Sequence, residues 1–372
     1  MHDDQDLSSP LVPPAPRNSI AGLVMVTSAA LLFGVVAAFV KATALPTLVM
    51  LQVRSILEWF LGVASAFAYT HRCGLLSPPD ITPSDSLPGK TRRGRNGESE
   101  LLFMLLVGPS SLWGWLILRA FLYWAFLAGW WLALTQMPIG DATTIVYTGP
   151  IWTATFAWLL LNERIDWSFY PIVALDACGI VLITQPSFLG FSPTSTGEEG
   201  STGSYLLGAL SSLFSALIAG LLPVCTRKSK ECFWTAVNHV SSALSALVFT
   251  PLAFVVWFSL DSTAIEQSMS SLGALEQASD SGAFGKWALL VGATVTGFVG
   301  LALQTLGYQQ EEASKASVMT VLEIPFAYML QAWIFHDEVS ALGLVGVGLV
   351  ICGTMLNLLR HRQRAQLSAK GC

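Results

Sequence analysis

Five ionisable side chains lie inside stretches otherwise built from aliphatic, aromatic and small residues: Arg54, Glu58, Arg119, Asp176 and Glu323. An ionised group in hydrocarbon costs about 2.5–3.5 kcal/mol on insertion scales, so each asks for a partner or a task. Arg54 and Glu58 are one helical turn apart and share a face. They either neutralise one another as an internal ion pair or present Arg54 to an anionic group of a solute. Arg119 is one to two turns inside the end of its segment, where its stem can snorkel and its guanidinium anchor at the interface. In a carrier of anions it would stand at the mouth of the pathway. Glu323 comes two residues before Pro325, whose missing N–H leaves a backbone carbonyl free, a setting that suits a proton or cation site. Asp176 lies deep in an apolar stretch and reads as buried between helices or against a second copy in a homodimer.

Neutral polar residues in neighbouring apolar segments add donors and acceptors: Gln136, Tyr147, Asn238, His239 and Gln304. His239 could titrate with Glu323, although a lone histidine near a helix end is more often structural. The candidate pathway residues are therefore Arg54, Glu58, Arg119, Tyr147, Asn238, His239, Gln304 and Glu323. Enzyme chemistry finds no support. No phosphate-binding glycine loop or nucleotide-hydrolysis motif occurs, and His336 and Glu338, two apart, point to different faces of a helix and lack a third metal ligand. No cofactor or metal is expected, and uphill movement of a solute would draw on proton coupling or a counter-substrate.

The elements that must position these residues are set by composition. The 372-residue chain is 53% hydrophobic and 12% charged, with a mean hydropathy of +0.59. Soluble domains carry about a quarter charged residues, so the bilayer is the expected partner, and nothing favours nucleic acid. The six cysteines show no paired spacing and read as free thiols. A span needs about 20 mostly apolar residues. Ten segments qualify: 20–39, 47–69, 113–137, 142–161, 169–188, 205–225, 233–258, 287–308, 317–335 and 341–359. Leu101–Val107 reads as interfacial or part of a loop, cut off from the third span by Gly108-Pro109-Ser110-Ser111.

Ten spans with both termini cytoplasmic put fifteen of the 19 Lys and Arg residues on the cytoplasmic side. Only Lys41 and Lys286 fall outside, and an eleventh span would scramble that bias. The resulting expectation is an all-α polytopic membrane protein, in the plasma membrane or an endomembrane. Residues 1–19 form a disordered cytoplasmic N-terminus. A first five-helix repeat covers 20–188, with a disordered cytoplasmic loop at 71–100. A linker at 189–204 leads to a second repeat at 205–359 and a basic cytoplasmic tail at 360–372. The outer loop at 260–285 is acidic and has room for a short surface helix.

The repeat is visible in the residues. Val146, Pro150, Ala157, Trp158 and Glu163 recur at the same spacing as Val321, Pro325, Ala332, Trp333 and Glu338, each copy followed by an apolar segment with a late glycine, Gly179 or Gly353. Five spans per copy make the second enter from the opposite side, so the repeats are inverted, an arrangement suited to alternating access.

These residues also carry a resemblance. The run from Ala142 through Pro150 into Trp158-Leu-Leu-Leu-Asn162-Glu163-Arg164 resembles the EamA-type branch of the drug/metabolite transporter superfamily, close to its eukaryotic solute carriers. So do the Gly179-Ile-Val-Leu-Ile helix, the stretch from Pro325 to Glu338 followed by Gly353, and Leu51-Gln-Val-Arg54-Ser. The likeness covers nearly all of 20–359 except the long first-half loop. It departs at His336-Asp337-Glu338-Val339, where no cation follows the acid. The resemblance implies a central cavity lined by helices 1–4 and 6–9, with helices 5 and 10 peripheral.

The functional expectation is a secondary-active transporter of a small organic metabolite, with a midplane site where Arg54 orients an anionic group and Glu323 holds a proton or cation. Two alternatives stand beside it: an exchanger of phosphorylated or nucleotide-linked metabolites, and a non-transporting membrane adaptor whose cytoplasmic loop recruits a partner.

Overall fold

The computed structural model describes residues 20–43, 47–75, 96–137, 139–163, 165, 167, 169–190, 202–260, 280–335 and 339–370. All regular structure among them is helical. In chain order the helices are α1 (Ile20–Thr43), α2 (Thr47–Leu75), α3 (Asn96–Leu106), α4 (Trp113–Gln136), α5 (Ile139–Val146), α6 (Gly149–Leu161) and α7 (Phe169–Thr184). They continue with α8 (Thr202–Lys228), α9 (Trp234–Leu244), α10 (Thr250–Leu260), α11 (Asp280–Gln310), α12 (Ala313–Met319), α13 (Glu323–Phe335) and α14 (Ala341–Lys370).

Eight stretches of these helices are long and apolar enough to cross a membrane among the described residues. Two of the ten expected spans take a different form. The fifth is the 16-residue α7, and the ninth is divided into α12 and α13 by a 3-10 turn at Thr320–Leu322. The expected N-terminal tail, most of the 71–100 loop, the outer loop and the Glu338 turn lie outside the described residues.

Proline places the breaks. Pro150 cannot donate to the carbonyl of Val146, and the chain closes the junction between α5 and α6 with shorter bonds, Thr148 N–H to Ile145 O (3.1 Å) and Ile151 N–H to Thr148 O (3.0 Å). Pro325 withholds the same donor from Val321, one residue inside the 3-10 turn. The two spans expected to be continuous are therefore both broken at corresponding points. A third interruption separates α9 from α10, where Ser245–Phe249 form a π-turn before Pro251. A π-type bond to Ala246 O would need the N–H that Pro251 lacks. Gln52 Nε2 on α2 supplies the donor instead, at 3.0 Å.

The segment Leu101–Val107, expected as interfacial or loop, is mostly the end of α3. Its face packs on α2 and α9, with Leu105 fully buried, which is why it folds as part of the bundle.

The principal pairings are α1 with α11, α4 with α8, α7 with α14, α2 with α9, α6 with α8 and α1 with α13. Two need glycine for backbone approach. A methyl at Gly307 would lie 2.7 Å from the carbonyl of Gly22, and one at Gly179 would lie 2.7 Å from that of Gly346. The polarity is inverted relative to a water-soluble bundle. Leu159, Leu252, Val255, Leu344 and Trp333 face outward, whereas Glu58, Arg119, Asp141 and Asp176 are buried. That distribution matches hydrocarbon as the outer solvent.

Candidate functional site

Polar side chains meet in the interior in two groups. The first joins α2, α4, α8, α9 and α11. Arg54 Nε donates to Glu58 Oε1 at 2.7 Å, the i,i+4 ion pair that their spacing allowed. Its second arm donates to Tyr123 Oη on α4 at 2.8 Å, and the guanidinium lies beside Gly297 on α11. Arg54 is thus neutralised on one side and free of a second carboxylate on the other.

Arg119, one turn before Tyr123 on α4, does not snorkel. It is 4% exposed, and its nitrogens find acceptors within the bundle: Thr226 Oγ1 (2.9 Å), Ser241 Oγ (2.8 Å), Thr305 Oγ1 (3.3 Å) and Val237 O (3.4 Å). Four neutral acceptors from three helices hold the head inside, so reaching for the interface would sacrifice bonds worth about 1.5–3 kcal/mol each. None of these partners carries a negative charge. Thr305 in turn donates to Asn238 Oδ1 at 3.0 Å, and Asn238 Nδ2 has no hydrogen-bond partner among the described residues. Gln304 is half-buried beside Thr305 on α11.

His239 belongs to a different contact. Trp59 Nε1 donates to its Nε2 at 3.0 Å, and its Nδ1 lies 2.8 Å from Leu106 O. A carbonyl on one side and an N–H on the other fix the neutral Nδ1–H tautomer, which pins α9 to α2 and α3. The expected alternative, titration with Glu323, is not the contact made.

The second group joins the two proline breaks. Glu323 opens α13 directly after the 3-10 turn, and Tyr147 lies in the turn between α5 and α6. Their side chains come close to one another, and Tyr147 packs on the buried cluster that holds Val321 and Ile324. The carbonyl of Glu323 faces Gly34 on α1, whose missing side chain admits Phe326. Behind Tyr147 is a cavity of about 140 Å³ bordered by α5, α6, α7 and Val321, with Asp176 among its lining residues.

The two ends of the bundle are closed by separate polar clusters. At one, Asn162 ends α6 in the left-handed conformation (φ 54°), which asparagine adopts readily, and this turns Glu163 toward α8 and α12. Glu163 Oε1 lies 3.8 Å from Arg227 Nε and accepts the Ala313 N–H at 3.4 Å, while Arg227 also donates to Gln309 O at 3.0 Å. Burial raises the Glu163 carboxyl above the usual carboxylate range, opposed by Arg227 and the Ala313 N–H. Nearby Glu311 is pushed up to about 7 by burial, against the pull of Lys315 and Arg227. Lys315 pairs with Glu312 at 2.7 Å.

At the other end, Asp141 is wholly buried in the first turn of α5. It accepts from the Ser187 backbone N–H (2.5 Å), the Ser187 hydroxyl and Tyr205 Oη (2.9 Å), joining α5 and α8 to the 3-10 turn that follows α7.

Sequence reasoning missed Tyr123, Thr226, Ser241, Thr305 and Asp141. Tyr123 is four residues after Arg119 on one helix, a spacing that could have paired them. Asp141 stood one residue before its expected span and so escaped notice as a buried acid. No spacing marks the three hydroxyls, because they reach Arg119 from distant segments.

Long apolar helices around buried ionisable side chains define a polytopic membrane protein with a polar interior. The sequence model of the EamA-like transporter family matches residues 100–185. The chain is 26% identical over 274 residues to a probable transport protein of Saccharomyces cerevisiae, covering 71% of this chain and 73% of that one. It is 26% identical over 254 residues to solute carrier family 35 member G1 of Homo sapiens, covering 66% of this chain but 62% of the human protein. A crystal structure superposes with a TM-score of 0.62 across 92% of this chain and 98% of its own; at 16% identity this shows a shared fold alone. Residues 100–185 thus carry the pattern of the EamA-like transporter family, a family of transporters and not of enzymes.

Proposed function

We propose that the chain is a secondary carrier of a small organic solute, working by alternating access around a midplane site between two inverted five-helix repeats. The observation that carries this reading is the contact of Tyr147 with Val321, Ile324 and the neighbouring Glu323. It joins the proline break of one copy to the proline break of the other, at an ionisable group. Broken helices at membrane depth are tolerated where they line a cavity or are buried in protein, and they are where carriers hold solutes and ions.

The helix pairings support the repeat. With α1, α2, α4, α5–α6 and α7 as the first five spans, and α8, α9–α10, α11, α12–α13 and α14 as the second, the contacts exchange under the repeat. The α1–α11 pair corresponds to α8–α4, and α1–α13 to α8–α6, while α2–α9 and α7–α14 map onto themselves. The basic bias of one side supports cytoplasmic termini.

The solute's chemistry follows from the two polar groups. Arg54, paired with Glu58, and Arg119, held by neutral acceptors, offer positive charge to an anionic group such as a carboxylate. Glu323 receives a proton or the cationic end of the solute. An exchanger of phosphorylated metabolites fits less well, since Arg54 already has a carboxylate partner.

The test is uptake into liposomes holding the purified full-length chain, using a radiolabelled panel of amino acids, organic acids and nucleotides under an imposed proton gradient. Gradient-dependent accumulation of one class, lost in Glu323→Gln, supports the proposal. Uptake in Glu323→Gln that remains complete and proton-sensitive removes Glu323 from the role, and no accumulation of any class contradicts the carrier reading.

A further inference from the structure

Asp176, on α7, stands outside the set of pathway residues, yet it is the barest ionisable group described. Its side chain is 3% exposed, and neither carboxyl oxygen has a hydrogen-bond partner among the described residues. It sits between α7 and α14, where Gly353 makes room for it; a methyl at 353 would overlap the carboxyl. The burial is therefore made within one chain and needs no second copy. Asp176 also lines the 140 Å³ cavity, whose wall includes Thr144, Tyr147, Thr148, Val173 and Val321, while its carboxyl is turned to Gly353. The cavity thus touches Asp176 and Tyr147 together, and Tyr147 lies close to Glu323.

We propose that Asp176 is a second proton-binding site of the carrier, sharing the cavity behind Tyr147 with the Glu323 junction. The proposal rests on the carrier reading for its role, and on geometry for its place.

The wall decides the ligand. A metal cation needs several oxygens around it. The Thr144 hydroxyl is already engaged with Gly140 O and Thr184 Oγ1, and that of Thr148 with Ile145 O and Trp152 Nε1. What remains is one carboxyl in a mostly apolar pocket, where a proton removes a charge that nothing nearby compensates.

The titratable groups facing Asp176 from the packed elements are few. Tyr147 comes from the α5–α6 turn, and Glu323 on α13 lies beyond it. The facing residue of α14 is Gly353, and the neighbouring Cys178 and Cys352 are exposed on the outer surface. The chemistry is one O–H bond made and broken: the proton comes from water reaching the cavity and returns to water when the cavity faces the other side.

The test is carbodiimide labelling, since N,N′-dicyclohexylcarbodiimide partitions into apolar sites and modifies protonated carboxyls. The full-length protein in lipid nanodiscs is labelled at stepped pH, and adducts are assigned to peptides by mass spectrometry. The expected result is an adduct at Asp176 in acid that is lost as pH rises, and absent at that position in Asp176→Asn. An adduct whose yield stays constant across the pH series marks a carboxyl locked in one state and overturns the proposal, as does the absence of any adduct at Asp176. Glu323 is read on its own peptide. No solute is required, so failure here is distinct from failure of the transport assay.

Discussion

Tyr147 and Glu323 come together across the interior, each beside the proline that interrupts its span. The two positions are one step out of register in the duplicated pattern, because Thr148, not Tyr147, corresponds to Glu323. Each copy contributes the same backbone break, and the copies differ in the side chain placed there. The shared prolines set the frame, and the unshared residues are the ones the proposed carrier would use for binding. This contact can form only while the two breaks face one another, so it reports directly on the relation between the two halves.

Tyr147→Phe keeps the ring that walls the cavity and removes only the hydroxyl. That hydroxyl is the polar group Tyr147 brings to the neighbourhood of Glu323. The expected outcome is slower uptake with the same solute preference and unchanged expression, read by initial rates in liposomes beside Glu323→Gln.

Arg119→Lys should behave as a severe substitution. One ammonium cannot reach acceptors on α8, α9 and α11 at once, whereas the guanidinium does. Loss of two charge-assisted bonds at about 1.5–3 kcal/mol each lowers the melting temperature, measurable in detergent by intrinsic fluorescence. Ser241→Ala, which removes one acceptor, should show a smaller shift in the same direction.

Glu311 ties stability to pH at one end of the bundle. Its ordinary value is 4.5, and in the folded chain burial raises it to about 7. The folded state therefore holds this proton more tightly than the unfolded state. Its contribution is present in mild acid and is lost as pH rises through about 7. Melting temperature should fall across that window, and Glu311→Gln should flatten the fall.

The Glu163–Arg227 contact clasps the end where α6, α8, α11 and α12 meet. Glu163→Ala removes the acceptor of both Arg227 and the Ala313 N–H. Cys225 and Cys232 are free and buried close to this end, at 0% and 2% exposed. Their labelling by a maleimide should rise in Glu163→Ala relative to the parent, read peptide by peptide. Equal labelling in the two proteins would mean that the contact does not hold this end closed.

Much of the frame was legible because hydrocarbon imposes a simple code: long apolar runs, basic residues on one side, and proline where a helix must break. The i,i+4 pair Arg54–Glu58 could be read for the same reason, since both partners sit on one helix. What was not legible depends on contacts between distant segments. Arg119 looked like an interfacial anchor because its acceptors, Thr226, Ser241 and Thr305, are small hydroxyls without any sequence mark. His239 looked available for titration until Trp59 and Leu106 were seen to occupy both nitrogens. Pro150 and Pro325 were visible, but that each divides its span, and that the two breaks meet, follows only from the packing.

The most direct test of alternating access is two-sided accessibility at Thr148, beside the junction. The chain carries Thr148→Cys in an otherwise cysteine-free background, with the six native cysteines replaced by serine, and is reconstituted in one orientation into sealed vesicles. A membrane-impermeant thiol reagent is then added from either face. The account predicts labelling from both sides, with the balance between them shifted by adding Glu323→Gln. Labelling from one side only, unchanged by Glu323→Gln, would contradict it.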